Sequence, residues 1–213
     1  MNDKEFQDLE KEASKEKLSV NSVDKNPLNQ FKLWYDEILK SDYVEPTAMT
    51  LATASKERKP SARMLLLKAY DQKGYVFYTN YNSRKGKELG ENPNGCILFY
   101  WDRLKRQVRI EGKIEKVAKE ESEAYFKTRS YKSRLGAWAS NQSSVIESRT
   151  VIVKEFLKYL LKFRTDVPLP EYWGGYRLIP EVYEFWQGRE NRLHDRIKYT
   201  KEKDGWKIER LAP

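Results

Sequence analysis

Apolar residues along this chain follow two different spacings, and each spacing predicts a different kind of element. Across residues 28–39 they recur every three to four positions, directly after Asn26 and Pro27, a capping side chain followed by a first-turn proline. This pattern predicts an amphipathic helix over residues 26–40. From Thr47 onward, short runs rich in β-branched and aromatic residues are separated by polar turns, which predicts strands.

The rest of the chain predicts short strands interrupted by helices. The predicted strands cover residues 47–54, 61–70, 75–79, 95–101, 107–117, 175–179, 182–186, 193–199 and 206–211. The predicted helices cover residues 83–91, 120–129, 133–139 and 144–163, and the last begins at the capping-box spacing of Ser144 and Glu147. The turn at Lys203, Asp204 and Gly205 predicts a hairpin. Together these elements predict an α+β fold, mainly antiparallel β, organised as a β-barrel with peripheral helices.

Composition limits the organisation and the location of the protein. A length of 213 residues suits one domain. Residues 1–24 are rich in lysine and glutamate and predict a mobile N-terminal arm, which leaves residues 25–213 as a single domain. The one cysteine, Cys96, cannot form an internal disulfide. We find no targeting segment and no apolar run long enough to span a membrane, so we expect a cytoplasmic protein.

The net charge of +9 raises the question of an anionic partner. Residues 1–25 carry five lysines and seven acidic residues, a balance of −2, so the rest of the chain carries +11. With 6 Trp, 14 Tyr and 8 Phe, this basic excess suits either nucleic acid or small phosphorylated ring compounds. Charge alone does not separate the two.

Missing motifs remove several enzyme classes. The sequence has no G-x-G-x-x-G after a strand, no G-x-x-x-x-G-K, no paired C-x-x-C and no second histidine for a metal site. The single histidine, His194, lies between Arg192 and Arg196 at alternate positions of a predicted strand, which predicts a surface that grips a planar anion. A structural histidine is the alternative.

Three further groups are suited to phosphate. Thr79, Arg84 and Lys85 surround one predicted helix start, Ser143 directly precedes another, and helix starts favour anions. Arg63 and Lys68 lie near the ends of one predicted strand. Tyr125, Arg129 and Ser133 recur at a spacing of four, which would place two hydroxyls and a guanidinium near one oxyanion. Each pattern also has a structural explanation. The residues at the helix starts could simply cap helices, Arg63 and Lys68 could extend into solvent from the strand, and the residues spaced by four could form a solvated helix face.

Eleven short strings, taken in order, resemble the pyridoxamine/pyridoxine 5′-phosphate oxidase family. They lie at residues 63–68, 77–79, 83–85, 106–108, 136–138, 142–144, 167–170, 173–175, 184–188, 192–196 and 206–213. The resemblance extends from about Asn26 to Pro213. It implies a split β-barrel homodimer with FMN at the subunit interface. One departure lies in the N-terminal arm, where Lys17 to Val20 offer neither the arginine nor the tyrosine with which some relatives cover the active site.

The resemblance also implies roles for individual residues. The implied FMN contacts are Arg63, Met64, Leu67, Lys68, Tyr78, Thr79, Arg84, Lys85, Gln107, Gln142, Ser143, Trp186 and Arg196. The implied substrate contacts are Lys68, Tyr125, Arg129 and Ser133 at the phosphate and Arg192, Leu193 and His194 at the pyridine ring. Arg192 and His194 are the implied catalytic residues, and no metal is implied.

The implied activity is oxidation of pyridoxamine or pyridoxine 5′-phosphate to pyridoxal 5′-phosphate, the last step of vitamin B6 cofactor synthesis and salvage. Dioxygen accepts the electrons and becomes hydrogen peroxide, and the amine substrate also yields ammonia. Neither nucleic acid nor membrane is an expected partner. Three different functions remain open: a split-barrel flavin enzyme with another substrate, a nucleic-acid-binding module, and a carrier of flavin or vitamin phosphate without catalysis.

Overall fold

A computed structural model describes residues 18–41 and 43–213 of the chain. Five α-helices are present in these residues: α1 (Pro27–Leu39), α2 (Arg84–Glu91), α3 (Lys119–Thr128), α4 (Tyr131–Ala139) and α5 (Arg149–Lys162). The strands are β1 (Ala48–Ala54), β2 (Pro60–Leu66), β3 (Ala69–Asp71), β4 (Gly74–Asn80), β5 (Asn94–Trp101), β6 (Arg106–Lys116), β7 (Trp173–Gln187), β8 (Asp195–Glu202) and β9 (Gly205–Arg210). No helix among the described residues combines the length and apolar composition that crossing a bilayer requires.

The strands form one sheet in the order β2-β1-β5-β6-β7-β4-β3, with β8 beside β7 and β9 beside β8. The pairings β1–β2, β3–β4, β4–β7, β7–β8 and β8–β9 are antiparallel. The predicted α+β class with mainly antiparallel strands is therefore confirmed. The predicted hairpin is also present, since Glu202 pairs with Gly205 across its turn.

The chain forms two compact units. The first comprises the described residues up to Pro46 together with residues 97–111 and 180–213, and the second comprises residues 47–96 and 112–179. The single domain over residues 25–213 and the mobile arm over residues 1–24 stay predictions. Residues 1–17 lie outside the described residues, whereas Leu18 and Val23 are buried.

The first unit has an aromatic core beneath α1. The side chain of Asn26 accepts a hydrogen bond from the backbone N–H of Leu28 at 2.9 Å, which caps the helix as the sequence predicts. Phe31, fully buried, lies 5.2 Å from the ring of Phe99, and the ring of Trp34 lies 5.3 Å from that of Phe185. Helical spacing of apolar residues thus gives α1 one buried face.

In the second unit, the predicted strand over residues 61–70 is two strands with different partners. β2 pairs with β1, and the backbone N–H of Leu67 still donates to Thr47 O at 2.9 Å on that side. The N–H of Lys68 donates instead to Val76 O in β4, also at 2.9 Å. The chain therefore changes strand partners between Leu67 and Lys68, which places Lys68 at a corner of the sheet.

Helix α5 begins later than its capping-box pattern predicts. Ser144 does not cap it, because the Ser144 hydroxyl donates to Asn141 O at 2.6 Å within a turn. Ser143 in that turn has a φ of 72°, so the chain there is left-handed and cannot enter a helix. The helix starts at Arg149, and its apolar residues Val151 and Leu161 are exposed.

Candidate active site

One cavity in the second unit brings together eight of the residues singled out in the sequence. Its volume is about 710 Å³, within the range of small-molecule sites. The eight residues that line it are Met64, Lys68, Tyr78, Thr79, Tyr125, Arg129, Ser133 and Gln142. Candidate FMN contacts and candidate substrate-phosphate contacts therefore share one cavity wall.

Three parallel aromatic rings form part of this wall. The rings of Tyr78 and Tyr125 are stacked with their centroids 3.8 Å apart, and the ring of Trp173 lies 5.6 Å from that of Tyr78. A Cβ atom at Gly175 would lie 2.8 Å from the Tyr78 ring, so only glycine permits this packing. Burial, with Glu121 and Tyr125 nearby, raises the pKa of Tyr78 to about 12. Its hydroxyl therefore stays protonated at neutral pH and can donate a hydrogen bond.

The guanidinium of Arg129 lines the cavity and has a buried nitrogen without a hydrogen-bond partner among the described residues. Its Cζ lies 4.8 Å from the centre of the Trp173 ring, in a cation–π contact. Its Nη1 atom is buried and has no hydrogen-bond partner among the residues the structure describes. Burial also lowers the pKa of Arg129, yet a guanidinium stays charged at neutral pH. A buried charge that lacks an acceptor is suited to an anionic oxygen of a ligand.

The spacing of four predicted one helix face for Tyr125, Arg129 and Ser133, but the structure places these three residues on different elements. Helix α3 ends at Thr128, and Arg129 is extended, with a ψ of 148°. The side chain of Ser130 then caps α4 by accepting from the backbone N–H of Ser133. The three side chains therefore come from two helices and the link between them.

A buried lysine is bonded to the edge of the cavity. The Nζ of Lys85 donates to Thr79 Oγ1 at 3.0 Å, to Gln142 Oε1 at 3.0 Å and to Ser83 Oγ at 3.3 Å. Ser83 caps α2 by accepting from Gly86 N–H, as the predicted helix start requires. Burial, then the charge of Arg63, lowers the pKa of Lys85 to about 8.

A second cavity of about 480 Å³ lies beside the first, since Gln142 lines both. Arg84 and Ser143 also line it. Arg63 lines neither of these two cavities, but its guanidinium joins that of Arg84 through the carboxylate of Glu88. Leu67, also implied as a contact, is buried in the core.

The first unit contains its own group of predicted residues around His194. The imidazole lies 4.6 Å from the Trp186 ring, and its Nδ1 accepts the backbone N–H of Arg189 at 3.1 Å. Since Nδ1 is an acceptor, the neutral ring carries its proton on Nε2. The expected strand through Arg192 and His194 is wrong, because β8 begins at Asp195. Arg192 instead ends a short 3₁₀ turn, and its φ of 61° is left-handed.

Arg196 is held by a buried carboxylate in the same unit. Glu184, 2% exposed, accepts from Arg196 Nε at 2.8 Å and from Arg109 Nη2 at 2.6 Å. Trp186 is the cross-strand partner of Arg196. Gln107 lies half-buried on β6, and Leu193 is 60% exposed.

Comparisons with known proteins decide the family. Residues 35–162 match the model of the family described as pyridoxamine 5′-phosphate oxidase, and residues 173–213 match the pyridoxine 5′-phosphate oxidase C-terminal dimerisation region. The chain belongs to the pyridoxamine 5′-phosphate oxidase family. The predicted family resemblance is thus confirmed.

Relatives of this family match the chain over nearly its full length. The pyridoxine/pyridoxamine 5′-phosphate oxidase of Nostoc punctiforme is 53% identical over 99% of this chain and 100% of its own length. The protein of the same description from Burkholderia thailandensis is 51% identical over 97% of this chain and 98% of its own.

Two solved structures are similar to this fold. PhzG from Burkholderia lata, in complex with tetrahydrophenazine-1-carboxylic acid, has a TM-score of 0.86 and 30% identity, over 91% of this chain and 95% of its own. An FMN-binding protein of Nostoc punctiforme related to pyridoxamine 5′-phosphate oxidase has a TM-score of 0.67 at 17% identity, over 92% of this chain and 99% of its own. These similarities confirm the predicted fold class.

Sequence reasoning missed several residues that line the main cavity or bind the arginines of the candidate site. Asn80 and Ser140 line the main cavity without having been singled out, and Trp173 completes its aromatic wall. The family string at residues 173–175 includes Trp173, but nothing in the sequence indicated that its ring stacks on Tyr78. Glu88 and Glu184 gave no signal, because the arginines they bind are mostly distant in sequence.

Proposed function

We propose that the chain is an FMN-dependent oxidase that converts pyridoxamine or pyridoxine 5′-phosphate to pyridoxal 5′-phosphate. One observation carries this proposal beyond family membership: the buried Nη1 of Arg129, which has no hydrogen-bond partner in the described part of the chain, lies on a cavity that Lys68, Ser133 and Tyr125 also line. This donor set suits a phosphate monoester beside an aromatic ring. The reaction consumes dioxygen and releases hydrogen peroxide, with ammonia as a further product of the amine.

The donor set beside the cavity also fits the phosphate of FMN. Arg63, Arg84 and Lys85 supply three cations, Gln142 is hydrogen-bonded to Lys85, and Ser143 lines the second cavity with Arg84. Met64, Tyr78 and Thr79 would contact the cofactor from the main cavity. FMN, when bound, supplies the two-electron chemistry, so the protein must bind, orient and polarise the substrate.

Two groups of residues would bind the two ends of the substrate. Lys68, Arg129 and the hydroxyls of Tyr125 and Ser133 would hold its phosphate. Arg192, Leu193 and His194 would lie against the pyridine ring, and Arg192 would stabilise negative charge as the C4′ substituent loses its proton. The absence of a conventional nucleophile is consistent with this division of roles.

We propose a homodimer in which FMN lies at the subunit interface. Four of the implied site residues fall within residues 173–213, the part that matches a dimerisation region. These are Trp186, Arg192, His194 and Arg196. The cavity residues precede that region, except for Trp173. Each site would then combine the cavity of one subunit with the His194 group of its partner. The reducing cytoplasm is the compartment we propose.

Mixing two impaired variants, assayed at a substrate concentration below the wild-type KM, tests this shared site. Arg129→Ala and Arg192→Ala subunits, unfolded together and refolded in equal amounts, should recover about one quarter of wild-type activity. Half of the dimers would be mixed, and each mixed dimer would hold one intact site and one site with both substitutions. The measurement is activity after mixing, compared with each variant refolded alone. No recovery would mean that both groups of a site come from one chain.

The pKa of Lys85 predicts a pH dependence of FMN binding. This pKa is lowered to about 8 in the cofactor-free protein, so the ammonium is mostly protonated at pH 7 and mostly neutral at pH 9.5. Because a phosphate dianion prefers the protonated form, the Kd for FMN should rise about tenfold between these pH values. Flavin fluorescence titration measures it. Lys85→Met should bind FMN weakly at both pH values, and an equally steep pH profile in that variant would contradict the assignment.

An absorbance spectrum of the purified protein tests the proposed function directly. We expect a flavin spectrum that bleaches when pyridoxine 5′-phosphate is added without oxygen and returns when air is admitted. A colourless protein that binds no added FMN would refute the proposal. Salt-sensitive nucleic-acid binding without a chromophore would favour a nucleic-acid-binding module.

The same experiment separates the oxidase from a flavin carrier and from a flavin enzyme with another substrate. A flavin carrier without catalysis would be yellow but would not bleach. A split-barrel flavin enzyme with another substrate would bleach with that compound instead, so oxygen consumption should be compared for pyridoxine 5′-phosphate, unphosphorylated pyridoxine and tetrahydrophenazine-1-carboxylic acid. Lys68 and Arg129 favour the phosphorylated vitamin.

A further inference from the structure

Glu88, on α2, is a buried carboxylate whose two oxygens are both engaged. The residue is 5% exposed. Its Oε2 accepts from Thr53 Oγ1 at 2.5 Å, from Ser61 Oγ at 2.6 Å and from Arg63 Nη2 at 3.3 Å. Its Oε1 accepts from Arg84 Nε at 2.8 Å. One carboxylate therefore fixes two guanidiniums that come from different elements.

The two arginines are held differently. Arg63 is bound on several sides, because its Nη1 donates to Thr53 Oγ1 at 2.6 Å and to Leu51 O at 3.2 Å, and its Nη2 also donates to Ser61 Oγ. Arg84 is bound to Glu88 through Nε alone, and its side chain remains 63% exposed. This contact fixes the direction of the Arg84 guanidinium and leaves its two outer nitrogens available for a ligand.

The charge of this cluster matches a phosphate monoester. Arg63, Arg84 and the nearby Lys85 provide three positive charges, and Glu88 removes one. The remaining two positive charges balance a phosphate that carries up to two negative charges at neutral pH. Without the carboxylate, three neighbouring cations would repel one another, and the exposed Arg84 would turn toward solvent.

Hydrogen bonds keep the Glu88 carboxylate ionised. Burial alone would raise its pKa, but hydrogen bonds from Ser61, Thr53 and Arg84, together with the charge of Arg63, lower that pKa to about 2. The cluster therefore keeps its negative charge throughout the pH range in which an enzyme works. A neutral side chain of the same size cannot replace this function.

We infer that Glu88 is a positioning residue that orients Arg84 toward the phosphate of the flavin while it anchors Arg63 in the same cluster, and that it thereby makes the protein prefer FMN to riboflavin. The inference rests on the proposed function, because it requires a flavin site. Glu88 does not touch the ligand in this account. It acts through the two arginines, so its loss should affect the phosphorylated flavin selectively.

The test compares FMN with riboflavin, which has the same ring system without the phosphate. Flavin fluorescence titrations of the cofactor-stripped full chain give both Kd values for wild type and for Glu88→Gln. We expect the Kd for FMN to rise about tenfold or more and the Kd for riboflavin to change less than about twofold. Glu120→Gln, an equal charge change at an exposed position of α3 that lines neither cavity, should leave the ratio of the two Kd values unchanged.

Glu88→Asp keeps the charge, which protects the test against simple misfolding. Its shorter side chain should weaken the contact with Arg84 and give an intermediate ratio. An equal loss of affinity for both flavins, or tighter FMN binding by Glu88→Gln, would overturn the inference. If wild type binds neither flavin, the proposed function itself fails, which is a separate outcome.

Discussion

Replacing Arg129 with alanine should raise the KM for pyridoxine 5′-phosphate about 100-fold, a loss on the order of 3 kcal/mol of binding free energy. Its guanidinium is stacked on Trp173, and its buried Nη1 lacks a partner among the described residues. The substitution therefore removes a half-buried positive charge that has a buried nitrogen available for an anion. Because the phosphate lies away from the reacting carbon and is bound equally in the ground state and the transition state, kcat should fall much less than kcat/KM.

Steady-state kinetics with two controls check this expectation. Lys132→Ala removes a positive charge at an exposed position of α4 and should leave KM within about twofold of wild type. Unphosphorylated pyridoxine should be a poor substrate for wild type and should lose little more in Arg129→Ala. An unchanged KM for the phosphorylated substrate would mean that the substrate phosphate binds elsewhere.

Local sequence patterns predicted those elements whose signal lies in neighbouring residues. The Asn26 cap and the apolar spacing after it identified α1. In β6, which the strand pattern of residues 107–117 predicted, Val108, Ile110 and Ile114 are buried at alternate positions. The hairpin at Gly205 also followed from its turn residues. In each of these cases residues only a few positions apart contain the signal, although the packing of α1 against Phe99 and Phe185 joins distant parts of the chain.

Predictions failed where a distant or unforeseen contact competed with a local signal. Ser144 has the spacing of a capping residue, but its hydroxyl bonds Asn141 O in a left-handed turn. The two strands within residues 61–70 separate because Leu67 and Lys68 bond different neighbouring segments. The spacing of residues along the chain predicts neither the Ser144–Asn141 hydrogen bond nor the change of strand partner after Leu67.

The candidate site likewise contains residues that the sequence marked and residues that only the fold brings together. The family resemblance implied eight of the residues that line the main cavity, including Lys68 and Arg129. The groups that orient the arginines were not predicted. Glu88 lies 25 residues from Arg63 along the chain, and Glu184 lies 75 residues from Arg109. Only the fold brings these carboxylates to their partners.

Arg192→Ala should lower kcat about 100-fold or more while FMN content stays close to that of wild type. Arg192 is exposed, and no hydrogen bond or ion pair engages its guanidinium within residues 18–41 and 43–213. Asn191 and Arg192 both have positive φ, of 53° and 61°, an uncommon backbone conformation that holds the arginine beside the anchored His194. The side chain is therefore positioned by the backbone and left available for substrate.

The comparison between kcat and cofactor content separates this role from a structural one. If Arg192 stabilises charge that develops as the C4′ substituent loses its proton, the loss must appear in kcat, and Arg192→Lys should retain part of the rate because it keeps the charge without the planar donor pair. Arg149→Ala, at an exposed position of α5, should leave kcat unchanged. A normal kcat in Arg192→Ala would remove Arg192 from the reaction. An FMN content that falls as steeply as kcat would make it a cofactor-binding residue instead.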